Sequence, residues 1–216
     1  MTRSVPLKYL IALLLALGLS GCQTGQSSQF QPQDIPAAGP YRHDGTGIVF
    51  PTTSGIFLRA QILRFDEQAR HIMVAYNSEL IAQPVILSAY VYPAPQVSSF
   101  GSPADVIATA RRQLALDHQR QQKAEILAFH ENGKLMSEQP ATLTYRGRTI
   151  TGLRADFAFV EPFAGEVQPI RSSLYLFELG ESMLKFRVSA PASVDSEAAV
   201  KAMIEEIAGS SAGEPL

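Results

Sequence analysis

Short turns between stretches of alternating apolar and polar residues are the feature that most restricts the fold of this chain. Four apolar residues at every second position would share one strand face: Ile56, Leu58, Ala60 and Ile62. A polar turn at 66–69 follows, and similar successions of strand, turn and strand recur in the C-terminal half. The predicted strand pairs are 56–62 with 71–76, 141–145 with 148–160, and 170–179 with 183–190. Since strands joined by such turns lie antiparallel, we expect a sheet built from hairpins.

Two segments have apolar residues at helical spacing instead. The first is 103–116, for which Ser102 is the expected N-cap. The polar residues 117–123 predict a solvated extension of this helix, and for 124–130 helix and strand remain alternatives. An apolar stripe near the C-terminus predicts a second helix, which starts near Asp195; its residues are Val200, Met203, Ile204 and Ile207. The predicted fold class is α+β, an antiparallel sheet with one central helix and one C-terminal amphipathic helix packed on it.

The composition excludes several classes of protein without indicating a chemistry. The 216 residues contain 18 Lys and Arg against 20 Asp and Glu, a formal net charge of −2, and one cysteine. A single cysteine excludes intramolecular disulfides and cysteine-rich metal sites. Because nucleic-acid-binding domains usually carry a basic excess, no nucleic-acid partner is expected. The length suits a single domain with appendages.

The N-terminal segment has the organisation of an export signal. A positively charged start precedes an apolar run over 9–19, which is too short to span a bilayer. The run ends in Leu19-Ser20-Gly21-Cys22, which resembles the lipobox of bacterial lipoproteins. The resemblance implies that residues 1–21 are a signal peptide, that cleavage occurs between Gly21 and Cys22, and that the Cys22 thiol carries a lipid.

The same resemblance implies a location. Diacylglyceryl and palmitate chains on Cys22 would anchor the mature chain, since two or more acyl chains hold a protein stably in a membrane. In lipoproteins an aspartate directly after the cysteine favours the inner membrane. Gln23 and Thr24 follow here, so the periplasmic face of the outer membrane is expected, with the inner membrane as the alternative.

Composition also divides the mature chain. Residues 22–46 are rich in Gln, Ser, Pro and Gly and have few apolar residues, which predicts a flexible tether behind the lipidated cysteine. The folded α+β domain is expected over 47–208. The polar tail 209–216 is expected to be disordered.

The order of the predicted elements is similar to that of the Mog1/PsbP-like family of small α+β domains. The matching segments are 47–51 at the start, and 174–188 followed by 194–208 at the end. The resemblance rests on this order and not on a diagnostic motif. It implies a binding or adaptor domain without catalysis, and it assigns no site residue.

Motifs for catalysis or metal binding are missing from the sequence. No two of the four histidines are spaced i, i+4, and there is no G-x-S-x-G motif. No metal ion or other cofactor is therefore expected. Some acidic residues could form an acid–base pair, or could be surface charges that face arginines on neighbouring strands. The acidic residues are Asp156, Glu161, Glu166 and Glu178, and the arginines are Arg148, Arg154, Arg171 and Arg187.

Two pairs of strand residues are weaker candidates for a ligand or partner surface. Arg154 and Asp156 lie in a phenylalanine-rich strand. They could provide a polar contact on an otherwise apolar surface that faces a ligand, or they could form a structural ion pair. Tyr90 and Tyr92 share a strand face, either at a partner surface or as half-buried sheet residues.

Together these features predict a lipid-anchored periplasmic binding or adaptor module of the bacterial cell envelope. Its partners would be the membrane, through Cys22, and an envelope protein, and no catalysis is expected. Two alternatives remain open. One is a periplasmic hydrolase whose site is assembled from scattered residues. The other is a carrier of an apolar ligand, which requires a cavity under the sheet.

Overall fold

The computed structural model describes residues 30–80, 82–98 and 101–211. Within these residues the chain forms a mixed α+β domain with a large antiparallel sheet and two helices. The strands are β1 (Gln33–Asp34), β2 (Tyr41–Arg42), β3 (Val49–Phe50), β4 (Thr53–Ser54), β5 (Phe57–Arg64), β6 (Ile72–Ser78), β7 (Ile86–Pro93), β8 (Lys134–Tyr145), β9 (Arg148–Phe163), β10 (Glu166–Glu178) and β11 (Ser182–Pro191). The helices are α1 (Ala104–Phe129) and α2 (Glu197–Gly209).

The main sheet confirms the predicted antiparallel architecture. Its nine strands run in the order β1-β5-β6-β7-β11-β10-β9-β8, and β4 also pairs with β5. The predicted pairs appear as β5–β6, β8–β9 and β10–β11, but β9 pairs with β10 as well. Strands β8 to β11 therefore form one continuous meander. Because β7 pairs with β11, the chain must pass over one sheet face through α1 to reach the edge strand β8.

Helix α2 packs on the other face of the sheet and closes the main core. All four residues of the predicted apolar stripe, from Val200 to Ile207, are buried, together with Ala208. Their partners from the sheet include Tyr76, Leu87, Phe177, Leu184 and Phe186. Since each fully buried apolar side chain stabilises by about 1.5–3 kcal/mol, this interface binds α2 firmly. The helix begins at Glu197, with Ser196 as its N-cap.

Helix α1 is longer and much less buried than α2. It runs without interruption to Phe129, so the alternative of a strand over 124–130 is wrong; the segment is rich in good helix formers. Its N-cap is Pro103, which corrects the expected cap at Ser102. Only Gln122 and Ile126 of this helix are buried. Neither α1 nor α2, the helices of the described ranges, is apolar and long enough to cross a membrane.

The folded domain begins earlier than position 47, which corrects the predicted tether over 22–46. Strand β1 pairs with β5, and β2 pairs with β3. The buried imidazole of His43 donates from Nε2 to the carbonyl oxygen of Ala69 at 3.1 Å and lies 3.0 Å from Thr46 Oγ1. Besides these hydrogen bonds, Ile35, Ala37 and Tyr41 pack against the main core, so the polar composition of the segment was misleading. The predicted signal peptide, Cys22 and the rest of 1–29 lie outside the described residues.

The C-terminal boundary is also later than predicted. Helix α2 includes Gly209, and Ser211 is buried. The Ser210 hydroxyl accepts a hydrogen bond from the Val49 amide at 2.8 Å. Residues 209–211 thus belong to the domain, and the remaining predicted tail, 212–216, lies outside the described residues.

A β-bulge in β5 overturns the predicted strand face at 56–62. The pairing with β6 shifts between Arg59 and Gln61, which leaves Ala60 as the extra residue. One additional residue moves the following side chains to the opposite face. As a result Phe57 and Ile62 are buried in the core, whereas Leu58 is 44% exposed.

Replacing Gly152 with alanine should destabilise the domain by about 1–3 kcal/mol. A Cβ atom added there would collide with the carbonyl oxygen of Leu176 and lie 2.5 Å from Cδ1 of Phe177. Both groups are fixed in the sheet and cannot move away at low cost. Gly39→Ala is the matched control, because nothing lies within 4 Å of its added Cβ. Urea unfolding curves compare the two variants, and an equal loss in both would contradict the close packing at Gly152.

Candidate functional site

The four residues singled out from the sequence lie on opposite faces of the sheet. Tyr92 of β7 shares a hydrogen bond with His118 of α1, and Tyr90 lies on the same face two residues earlier. Arg154 of β9 contacts Glu197 of α2, and Asp156 lies beside it. The structure therefore does not combine the four into one site.

Arg154 and Asp156 form an ion pair within a closed network. Arg154 Nε donates to the Asp156 carboxylate at 2.9 and 3.2 Å, and its Nη atoms donate to Glu197. Ser137 and Ser173 donate to the same carboxylate at 2.9 and 2.6 Å. Burial alone would raise the pKa of Asp156, but the hydrogen bonds from Ser173, Arg154 and Ser137 outweigh it and lower the pKa.

This network joins β8, β9 and β10 to the start of α2, so the arrangement has the geometry of a structural ion pair. A cavity of about 320 Å³ adjoins it, lined also by Arg171 and Val194. The guanidinium of Arg171 donates to the carbonyl oxygen of Val194 at 3.0 Å. A ligand contact at Arg154 and Asp156 stays a prediction.

The face of the sheet that α1 covers is unusual because the residues at its centre are polar. We call six residues there the polar layer: Tyr90, Tyr92, His118, Gln122, Lys185 and Arg187. Lys185 Nζ lies 4.4 Å from the ring centroid of Tyr90 and 5.5 Å from that of Tyr92, and it donates to Gln122 Oε1 at 2.7 Å. The Tyr92 hydroxyl and His118 Nε2 are 2.9 Å apart. A lysine thus lies over two tyrosine rings, beneath a buried glutamine.

The two cations of the polar layer are not in direct contact with a carboxylate among the described residues, although Glu125 favours the charged form of both and Glu161 favours that of Arg187. Neither Lys185 nor Arg187 forms a salt bridge there. Arg187 Nη2 donates to Ser172 Oγ at 3.1 Å, and its inaccessible Nε has no hydrogen-bond partner. Arg187 therefore forms no salt bridge with an acidic residue, but Glu161, one of the carboxylates named from the sequence, lies near enough to favour its charged form. The nearby carboxylates have other partners, since Glu125 accepts from Gln121 and Gln122, and Glu161 from His130.

Burial favours the uncharged forms of the titratable groups in this layer. Burial, with a smaller effect from Arg187, lowers the pKa of Lys185 to about 8. Burial also lowers the pKa of Arg187, to about 10. The pKa of His118 is lowered by burial and then by Lys185, so this imidazole is neutral at pH 7. The layer is cationic at neutral pH, and no carboxylate contact compensates the cost of desolvating its charges.

A cleft of about 390 Å³ lies beside the polar layer, between the N-terminal half of α1 and the turn end of β10 and β11. Leu114, Ala115 and His118 line it from α1, and Leu176 and Met183 line it from the sheet. Further polar lining residues are Arg111, Gln119, Glu178 and Glu181. The volume is at the small end of the roughly 300–1,000 Å³ of ligand pockets.

Sequence reasoning found Tyr90 and Tyr92 but missed their neighbours Lys185, Gln122 and His118. No local signal identifies them, because Lys185 and Arg187 alternate with apolar residues as on an ordinary exposed strand face, and His118 and Gln122 lie in a polar helical segment. Within the described ranges, no group of three or more His, Cys, Asp or Glu residues could hold a metal ion.

The comparisons with known proteins add little about function. No protein-family model and no curated protein matches the chain. Among solved structures, it is similar to the solution structure of cyanobacterial PsbP (CyanoP) from Synechocystis sp. PCC 6803, with 14% identity and a TM-score of 0.37. The match covers 89% of this chain and 96% of the other.

Proposed function

We propose that this protein is a lipid-anchored binding module at the periplasmic face of a bacterial outer membrane, and that it binds its ligand or partner in the cleft under α1. One observation carries the binding site: the cleft adjoins a polar layer in which, among the described residues, two cations form no salt bridge. An apolar interface like that of α2 would stabilise the fold better. A binding role explains why the polar groups are there.

The lipid anchor is supported by the sequence Leu19-Ser20-Gly21-Cys22. Since the described domain already begins at Phe30, eight residue steps separate it from Cys22. A fully extended chain spans at most about 3.5 Å per residue, or about 28 Å here. A lipid on Cys22 would therefore hold the domain close to the bilayer.

The carrier alternative, in which the ligand is apolar and occupies an apolar cavity, has only the apolar part of the cleft in its favour. Leu114, Leu176 and Met183 supply apolar lining, whereas His118 and the adjacent Lys185 supply polar groups. Further polar side chains, among them Arg111, Glu178 and Glu181, make the lining more polar than the mainly apolar lining of most small-molecule sites. The alternative of a hydrolase has no corresponding observation in its favour.

In-cell photo-crosslinking tests the proposed site. A photoreactive phenylalanine analogue in place of Leu114 should form an adduct upon irradiation, because this side chain lines the cleft. The same analogue in place of Glu205, which is 60% exposed on α2, is the matched control and should give no comparable adduct. Mass spectrometry of the adduct identifies a small molecule or a protein. Absence of an adduct at position 114, or equal adducts at both positions, would contradict the site.

A further inference from the structure

Lys185 has unused hydrogen-bonding capacity. Its ammonium group has three N–H donors, and among the described residues Gln122 is the one hydrogen-bond acceptor it contacts. The two tyrosine rings below it attract the charge through their faces but accept no conventional hydrogen bond. Arg187, two residues along the same strand face, adds positive charge without a carboxylate. An anionic hydrogen-bond acceptor would complement the free donors of Lys185, in addition to the charge of Glu125 that already acts on this lysine.

The register of the sheet places Lys185 next to two residues that line the cleft, although Lys185 is not itself one of the lining residues. Leu176, which lines the cleft, is the direct cross-strand partner of Lys185. Met183, also in the lining, precedes Lys185 by two residues on the same strand face. Two residues of a strand span roughly 7 Å, so a ligand with its body over Met183 and Leu176 can direct one end at Lys185.

The lining indicates which kind of anion fits. Leu114, Ala115, Leu176 and Met183 suit a short apolar body. Glu178 and Glu181 also line the cleft and would repel a ligand of higher negative charge. A phosphate monoester carries about −1.5 to −2 at pH 7, whereas a carboxylate carries one charge. The two acidic residues therefore disfavour a doubly charged anion more than a carboxylate, while Arg111, in the same lining, attracts either.

We infer that the cleft under α1 binds an amphipathic carboxylate, whose apolar body lies on Leu176 and Met183 and whose carboxylate accepts hydrogen bonds from Lys185. This inference rests on the proposed function and names the ligand class of the same site. Lys185 is the residue that distinguishes the carboxylate from an uncharged molecule of equal length.

Octanoate and 1-octanol are the probes that test this inference. The full lipidated chain is held in lipid nanodiscs, and empty nanodiscs serve as the blank, so that partition of the probe into lipid is subtracted. Ligand-observed NMR then gives the dissociation constant of each probe. Octanoate should bind about ten- to a hundredfold more tightly than octanol, the range expected for a hydrogen bond to a charged group.

Three variants assign the preference to Lys185. Lys185→Met should abolish it by weakening octanoate binding, while octanol binding is unchanged. Lys185→Arg keeps the positive charge and should retain the preference. Lys201→Met is the matched control, because this lysine side chain is 74% exposed on α2 and should not affect either probe. Thermal unfolding of each variant verifies that the domain is folded.

The outcomes separate this inference from the proposed function. Equal binding of both probes by the wild-type chain would overturn recognition of the carboxylate, and the cleft would stand as an apolar site. A preference that persists in Lys185→Met would overturn the role of Lys185. If neither probe binds, the proposed ligand class is wrong. The crosslinking experiment at position 114 tests the proposed site independently of this result.

The pH profile provides a readout that a purely structural lysine would not change. The preference for octanoate should decline as the pH rises from 7 to 9, because Lys185 loses its proton in this interval. The titratable and charged groups that surround it are His71, Tyr90, Tyr92, His118, Glu125 and Arg187. Burial lowers the pKa of both histidines and raises the pKa of both tyrosines, so none of these four gains or loses charge in the interval. A profile that is flat to pH 9 would overturn the inference.

Discussion

Replacing Cys22 with alanine should abolish the incorporation of radioactive palmitate into this protein. The thiolate is the nucleophile that receives a lipid, and the sequence contains no second cysteine. The effect is expected to be complete, because no other residue can take over this chemistry. Labelling followed by immunoprecipitation measures it, and labelling that persists in the variant would show that the lipid is attached elsewhere.

Location requires a second variant, because an uncleaved signal segment could itself hold the alanine variant at the membrane. Leu19→Ala, Gly21→Ala and Cys22→Ala together convert the motif into an ordinary A-x-A cleavage site. This triple variant should be cut and should move from the membrane fraction to the soluble periplasm. If it remains with the membrane after cleavage, the domain has another means of attachment and the proposed anchor is not what determines location.

The parts of the fold that the sequence predicts well depend on local patterns. The apolar stripe at Val200, Met203, Ile204 and Ile207 is buried as expected, since a stripe at helical spacing has one way to face a core. The hairpins around 146–147 and 180–182 also appear, because a short turn fixes both the direction and the neighbour of the next strand.

The errors occur where distant contacts decide the structure. Residues 33–46 were predicted as a tether because they are polar, yet Arg59 holds them in place by donating to the carbonyl oxygens of Ala37 and Gly39 at 2.7 Å. No local sequence pattern predicts such contacts. The bulge at Ala60 is a similar case, because one extra residue exchanges the two strand faces without altering the alternation of the sequence.

The polar layer could not be predicted for a related reason. Lys185 and Arg187 alternate with the core residues Leu184 and Phe186, which by itself indicates an ordinary solvent-exposed face. They become partly buried because α1 passes over the sheet from β7 to β8. That path depends on the strand order, which places β11 beside β7, and the sequence of α1 alone does not specify it.

Hydrogen exchange should divide α1 into two halves, with the N-terminal half exchanging at least about a hundredfold faster than α2. No side chain of residues 104–116 is fully buried, and Val106 and Leu116 are 51% and 53% exposed. A helical segment of this length is marginal without packing. Helix α2 buries five side chains, and a difference of a few kcal/mol in opening free energy corresponds to a factor of about 100 in exchange rate.

The C-terminal half of α1 should exchange at an intermediate rate, because an apolar contact, an ion pair and the hydrogen bonds of His118 and Gln122 hold it to the sheet. Ile126 packs against Phe157 and Leu174, and Lys123 Nζ donates to Glu138 at 2.6 Å. Ile126→Ala removes the apolar contact and should accelerate exchange along all of α1, while α2 remains unchanged. Exchange measured by mass spectrometry of peptides resolves the three segments in one experiment.

The division matters for function because the weakly held half of α1 is the part that covers the cleft. Leu114 and Ala115 line it from that half, whereas the floor residues Leu176 and Met183 are fixed in the sheet. If local opening of 104–116 admits a ligand, octanoate should slow exchange there and leave α2 unaffected, since a ligand that binds the closed form shifts the opening equilibrium. Protection of 104–116 equal to that of α2 would mean that the cleft has a rigid cover, and a ligand would have to enter without movement of the helix.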